Sequence, residues 1–312
     1  MFKLIFRRLI TLPFVIIAIT FVTFAVGYLA PGDPILTMMG ARHDDALYAR
    51  LRHLYGLDLP FHEQYVNYLS GLARGDLGLS FRFQGRAVWD LIKDGVPVSV
   101  GLGGLALLLS VVIGIPTGVL AALRQNQWPD RGSMALMVAF YAIPSFVLIP
   151  ILQWLNYQAF SHVWPSLPPA GWGTASHLVL PVLVLSAASM GYIARLTRST
   201  MLDTLRQDYI RTAYAKGLHD RAVHWRHAFR NALLPVITVL GPAVAFLVTG
   251  AFVVENLFAI PGIGFLSVQA IQQRDYPVIQ GTTVILATTI LIMNLVVDIL
   301  YLILDPRVHV EG

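Results

Sequence analysis

Cysteine is absent from the 312 residues, which excludes disulfides, thiolate nucleophiles, Cys-ligated zinc and iron–sulfur clusters. Charge is scarce as well: Asp, Glu, Lys and Arg make up 12% of the chain, against about a quarter in soluble domains. With 56% hydrophobic residues and a mean hydropathy of +0.66, that deficit excludes an ordinary soluble fold. Catalytic motifs are missing too. There is no GxxxxGK[ST] phosphate loop, no HExxH, no GxSxG and no pair of acidic residues inside an apolar run. The chain therefore lacks the usual P-loop route to ATP hydrolysis, and no convergent polar site supports a membrane enzyme. A self-sufficient secondary transporter or channel is the alternative from another class. It would need ionisable residues in mid-span, and only Asp298 comes near, close to the inner end marked by Asp305 and Arg307. Interfacial packing of Asp298 and a proton relay both remain open.

What the chain does have is length without charge. Residues 9–32, 95–123, 132–194, 231–254 and 276–297 contain no Asp, Glu, Lys or Arg. About 20 helical residues cross the hydrocarbon core, so four of these runs hold one crossing each. The longest run holds two, interrupted at residues 161–173 by four prolines, two glycines and two interfacial tryptophans. The expectation is one all-α integral membrane domain over 1–312 with six spans, roughly 9–30, 97–123, 133–158, 176–195, 231–252 and 278–303. The first run follows Lys3, Arg7 and Arg8, as a signal peptide would. It is too long for one, and Tyr28 and Pro31 spoil a cleavage site, so it reads as an anchor.

An even number of spans places both termini on one side. With that side cytoplasmic, the inner segments carry 14 basic and 6 acidic residues and the outer ones 8 basic and 10 acidic. The excess of positive charge then follows from topology. Membrane lipid is an expected partner; nucleic acid is not.

Two segments stand outside the spans. Residues 31–96 read as a small extracytoplasmic helical cap. Ala46, Leu47, Leu51, Leu54 and Tyr55 recur at helix spacing, as do Phe61, Tyr65, Tyr68, Leu69 and Leu72 after Pro60. The run RGDLGLS, 74–80, makes a turn, and Ala87 to Lys93 form a third short helix. The cytoplasmic loop 196–230 continues the fourth span as a helix, with Leu202, Leu205, Tyr209 and Ala213 on one stripe, until Gly217 breaks it. A short amphipathic helix follows, with Leu218, Ala222, Trp225 and Phe229 on its apolar face and His219, Asp220, His224 and His227 on another. This loop either transmits motion from a cytoplasmic partner or only orients the protein. Of the nine histidines, His224 and His227 lie one helical turn apart; they read as surface residues or, less simply, as metal ligands without a third partner.

RTAYAKGL (211–218) followed by RHAFRNALLPVIT (226–238) resembles the EAA loop of ATP-binding-cassette importer permeases, in particular the dipeptide and oligopeptide permease subfamily. APGDP (30–34), YGLDLPFHEQYVNYL (55–69), GDLGLSF (75–81), VVENLFAIPGIG (253–264), RDYPVIQG (274–281) and VVDILYLILDPR (296–307) agree with it, so the resemblance covers nearly the whole chain. Arg211 and Thr212 stand where the general importer loop has Glu and Ala.

The resemblance implies a type I importer permease fold, N-in and C-in, in the inner membrane of a bacterial or archaeal cell. It implies a homologous second permease subunit, two ATPase subunits that bind ATP and Mg, and an extracytoplasmic solute-binding protein, with no cofactor in this chain. Arg211, Thr212, Ala213, Lys216, Gly217, Leu218 and Arg221 would dock on the ATPase. The substrate would be a di- or oligopeptide, although glutathione, nickel chelates and oligosaccharides fall within the same resemblance. Between the fifth and sixth spans, Glu255, Asn256, Phe258, Pro261 and Gly262 are a possible outer gate, with Ile260, Ile263 and Phe265 as apolar cover. The plainer reading of that loop is an interfacial anchor.

Overall fold

Every charge-free run becomes helix, because backbone N–H and C=O groups deprived of water must pair within their own segment. The computed structural model describes residues 2–40, 44–83, 85–160 and 167–304. Over these the order is α1 (Phe2–Leu29), α2 (Pro34–Met39), α3 (Asp45–Leu54), α4 (Phe61–Ala73), α5 (Val88–Ile92), α6 (Gly95–Leu123), α7 (Trp128–Ala142), α8 (Ser145–Phe160), α9 (Ala175–Leu205), α10 (Asp208–Ala215), α11 (Asp220–Ala222), a π-helix (Val223–Phe229), α12 (Arg230–Leu257), α13 (Ile263–Gln273) and α14 (Tyr276–Leu304). The only extended pairing among the described residues is a bridge between Leu79 and Ala87.

Four helical stretches are long and apolar enough to cross a bilayer: Ile10–Leu29, Val88–Leu123, Ala175–Leu205 and Tyr276–Val296. A fifth is made if α7 and α8 count as one span. The expected straight span 133–158 is corrected here: it bends by 116° between α7 and α8. Pro144 supplies the cause. It excludes the helical conformation from the residue before it, and Ile143 is extended at φ −83°, ψ 119°. α12 occupies the remaining expected run, 231–252; at 242, 245, 246, 249 and 250 only its backbone is described. Of the expected interruption at 161–173, residues 161–166 lie outside the described residues.

The chain packs as two units. One comprises Val100–Ile260 and Ile292–Gly312, the other Phe2–Ser99 and Pro261–Leu291. In the first, α9 is the central helix, packed on α7, α8 and α12. Small residues allow the approach. A Cβ on Gly118 would fall 2.4 Å from the Ala194 carbonyl oxygen, and one on Gly191 would fall 2.2 Å from that of Met137. Close backbone contact of this kind is how helices associate where lipid removes the hydrophobic drive.

In the second unit, α4 lies along α1 through an aromatic cluster. Phe24 packs against Phe61, Tyr65 and Tyr68, with ring centroids 5.3 to 5.9 Å apart. The Tyr65 hydroxyl donates to the Ile17 carbonyl at 3.0 Å. Ile17 lies 12 residues before the end of α1, about 18 Å of helix. The helix repeat of Phe61, Tyr65 and Tyr68 thus serves to dock α4 on a span. The turn at 74–80 forms as expected, with Gly75 and Gly78 at positive φ and the Gly78 N–H bonded to the Asp76 carboxylate at 2.8 Å. Asp275, just before α14, holds this hairpin: Ser80 Oγ donates to its carboxylate at 2.5 Å, the Phe81 N–H at 3.0 Å and the Arg82 N–H at 3.2 Å.

Candidate coupling surface

The loop 196–230 is built differently from its expected form in two respects. α9 ends at Leu205, and a separate helix, α10, starts at Asp208, so the stripe through Tyr209 and Ala213 does not continue α9. Gly217 does break the chain. α10 closes with the Leu218 N–H on the Ala213 carbonyl at 3.3 Å and the Gly217 N–H on that of Tyr214 at 2.9 Å. This pair of bonds is the Schellman arrangement, which places the residue after the C-cap in the left-handed region. Gly217 occupies that place at φ +77°. Glycine is required there by conformation alone, since a Cβ would meet nothing within 4 Å.

The second difference concerns which face is buried. The α-helical reading gave the apolar face to Leu218, Ala222, Trp225 and Phe229. Residues 223–229 instead form a π-helix, whose longer repeat turns Val223 and Ala228, five apart, to the inside. They join Ala213, Ile210, Met201 and Ala232 in one cluster with Val119 and Ala122 of α6. Phe229 only flanks that cluster, while Leu218 and Trp225 are exposed.

The candidate docking residues divide accordingly. Arg211, Thr212, Lys216, Gly217, Leu218 and Arg221 are exposed, while Ala213 is buried and anchors α10 from beneath. Two side-chain bonds fix the loop to α12 and to the π-helix. Asn231 Nδ2 donates to the Tyr209 hydroxyl at 2.9 Å, and the Tyr214 hydroxyl lies 3.3 Å from His224 Nε2. Among the described residues no group of three His, Cys, Asp or Glu could hold a metal, His224 and His227 included. The result is a rigid projection: a packed apolar base carrying basic residues, Leu218 and Trp225 on its open side.

A feature not read from the sequence braces the base. Asp130, on the first turn of α7, is buried, and Arg198 of α9 grips it from two atoms, Nε to Oδ1 at 2.6 Å and Nη2 to Oδ2 at 2.8 Å. The Asn126 N–H adds a third bond at 2.8 Å. The Arg198 guanidinium holds the Asp130 carboxyl below the usual carboxylate range. Stability from this pair is accordingly present above the ordinary carboxylate pKa, about 4, and lost only as pH falls through the lower folded value. It is constant across neutral pH. Asp130 sits between two charge-free runs with nothing in the linear sequence to name its partner.

The possible outer gate falls in both units. In the first, Glu255, Phe258 and Ile260 are buried and Asn256 is exposed. Phe258 ends α12 and is 1% exposed; its carbonyl accepts the Gly171 N–H at 2.7 Å. Ile260 donates its N–H to the Glu255 carbonyl at 2.8 Å, closing a turn through Ala259 at φ +52°. In the second unit Pro261 is exposed and Gly262 is the N-cap of α13, a helix the sequence reading took for part of a loop. A Cβ on Gly95 would lie 3.2 Å from Gly262. Ile263 is buried and Phe265 half-buried. Burial of the Phe258 ring within its own unit does not suit an aromatic resting in headgroups.

Comparison with known proteins matches residues 114–310 to the family described as binding-protein-dependent transport system inner membrane component, and residues 1–103 to that family's N-terminal region. A dipeptide transport system permease protein of Bacillus subtilis is 44% identical over 299 residues, covering 95% of each chain. An oligopeptide transport system permease protein of Haemophilus influenzae is 40% identical over 312 residues, covering 99% of this chain and all of that one. Among solved structures, an inward-facing methionine ABC transporter superposes with a TM-score of 0.58 at 18% identity, over 69% of this chain and 96% of the other. That likeness shows a shared fold.

Proposed function

The chain belongs to the family of binding-protein-dependent transport system inner membrane components, and on that premise we propose that it is a pore-forming permease subunit of an ATP-driven importer for di- or oligopeptides. It is a transport component and not an enzyme. ATP and Mg are bound by two partner ATPase subunits, a homologous permease supplies the other half of the pore, and a solute-binding protein delivers substrate from outside. Curated relatives of near-identical length transport dipeptides and oligopeptides, which supports the substrate class.

The observation that carries the mechanism is the projection at 211–221. Its exposed residues, Arg211, Thr212, Lys216, Gly217, Leu218 and Arg221, face outward from a base packed on α6, α9 and α12. ATPase closure pushes this projection, and a rigid base passes the displacement to the helices, which gives alternating access by rigid-body movement. Six spans with both termini and residues 196–230 inside, and 31–96 outside, complete the arrangement; the basic excess of the inner segments supports it. Phe258 and Ile260 act as part of an outer seal, supported by their burial at the end of α12.

Single cysteines test both halves of this reading, since the native chain has none. A cysteine at Leu218 is expected to cross-link to the ATPase subunit in the assembled complex, and one at Ser70 to react with an impermeant maleimide from outside. No cross-link at Leu218, or labelling of Ser70 from the cytoplasmic side alone, contradicts it.

A further inference from the structure

The second unit contains a cavity of about 430 Å³ that the importer mechanism does not use. Its walls come from the outer end of α1 (Phe24, Gly27), from Tyr68 on α4, from Phe81 in the hairpin, and from Tyr276 and Gln280 in the first turns of α14. The volume falls in the range of small-molecule sites, about 300–1,000 Å³.

Two polar groups in it lack partners. Gln280 is 8% exposed, yet its side-chain amide makes no hydrogen bond among the described residues. The Tyr68 hydroxyl is buried and likewise unpaired among them. Burial pushes the Tyr68 pKa up to about 12, so the hydroxyl stays neutral and able to donate. Native proteins rarely leave such groups unsatisfied without a ligand or water to meet them. The charges at the rim are already engaged. Asp33 accepts the Ile35 N–H at 2.8 Å on one oxygen and the Tyr48 hydroxyl at 2.6 Å on the other. Arg52 donates to the Leu57 carbonyl at 3.1 Å. What remains is an aromatic box with a neutral donor–acceptor pair, which suits a ligand with both an apolar group and an uncharged amide.

We infer that this cavity binds a short uncharged peptide segment of two or three residues, its apolar side chain against Phe24, Phe81 and Tyr276 and its backbone amide on Gln280 and Tyr68. The amide supplies one donor and one acceptor, the complement of a Gln side chain. The same chemistry is available from a free peptide and from a loop of the solute-binding protein.

The test uses the assembled complex in nanodiscs, without nucleotide, and N-acetyl-Phe-Ala-amide as probe, with binding read by calorimetry. Wild type is expected to bind it, and Gln280→Leu and Tyr68→Phe each to weaken binding at least fivefold. Ethylbenzene, which keeps the apolar group and drops the amides, is expected not to compete. Displacement of the probe by purified solute-binding protein assigns the site to a protein loop, and no displacement assigns it to free peptide; both support a peptide site. Unchanged affinity in both variants, equal competition by ethylbenzene, or no binding up to the probe's solubility overturns the inference. Tyr68→Phe removes one hydroxyl only and keeps the test valid if Gln280→Leu fails to fold. Because ATP plays no part, failure here is distinct from failure of the importer reading.

Discussion

Gly217 shows how narrow the requirement at one residue can be. Its backbone lies at φ +77° with open space around it, so substitution is penalised by conformation and not by crowding. A left-handed conformation costs an L-residue about 1–2 kcal/mol, least for Asn and most for a β-branched side chain. Gly217→Asn is therefore expected to keep most of the ATP hydrolysis stimulated by the solute-binding protein, and Gly217→Val to lose most of it while inserting normally. Wild-type stimulation in the Val variant would remove Leu218 and its neighbours from the coupling path. Phe258 makes the opposite case, in which space decides. Removing a ring that is 1% exposed leaves a cavity and costs about 3–5 kcal/mol. Phe258→Ala is expected to raise solute leak and basal ATPase in proteoliposomes, Phe258→Leu to do so less, and Ile292→Ala, at a half-exposed site, not at all. Equal leak in all three would make the segment a structural turn only.

At the scale of elements, the π-helix is the part least legible in the sequence. Leu218, Ala222, Trp225 and Phe229 fit an α-helical stripe well, but a period of 3.6 cannot anticipate a local i→i+5 ladder, and the buried side chains moved to Val223 and Ala228. The cause is tertiary, since both pack with Met201 and Ala232, far apart in the chain. Deleting exposed Arg226 is expected to restore an α-helical repeat, keep Val223 and Ala228 on the buried side, and rotate the projection by about 100° against α12. Insertion and thermal stability should change little, whereas ATPase stimulation should fall at least tenfold. Retained stimulation would show that the register of the π-helix is immaterial. The bend at Ile143–Pro144 was legible in principle, since the residue before a proline leaves the helical region, but hydropathy alone carried the span across it. By contrast, the turn at 74–80 and the break at Gly217 were plain, because glycine marks backbone that other residues avoid.

Across the whole molecule, composition alone excluded a soluble fold and nucleotide chemistry, and the charge-free runs located most of the helices. The positions that tie elements together were hidden. Asp130 with Arg198, Asp275 with the hairpin, and Gly118 under Ala194 are pairings across long stretches of chain, which no local period encodes. The central claim, that this chain is a conduit driven by separate ATPases and fed by a binding protein, is tested most directly by uptake of a labelled dipeptide into proteoliposomes holding the assembled complex. The account predicts uptake that requires ATP on the cytoplasmic face, the solute-binding protein on the outer face and an intact Gly217, and that is indifferent to ion gradients. Uptake by this chain alone, or uptake driven by a proton or sodium gradient without ATP, would contradict it.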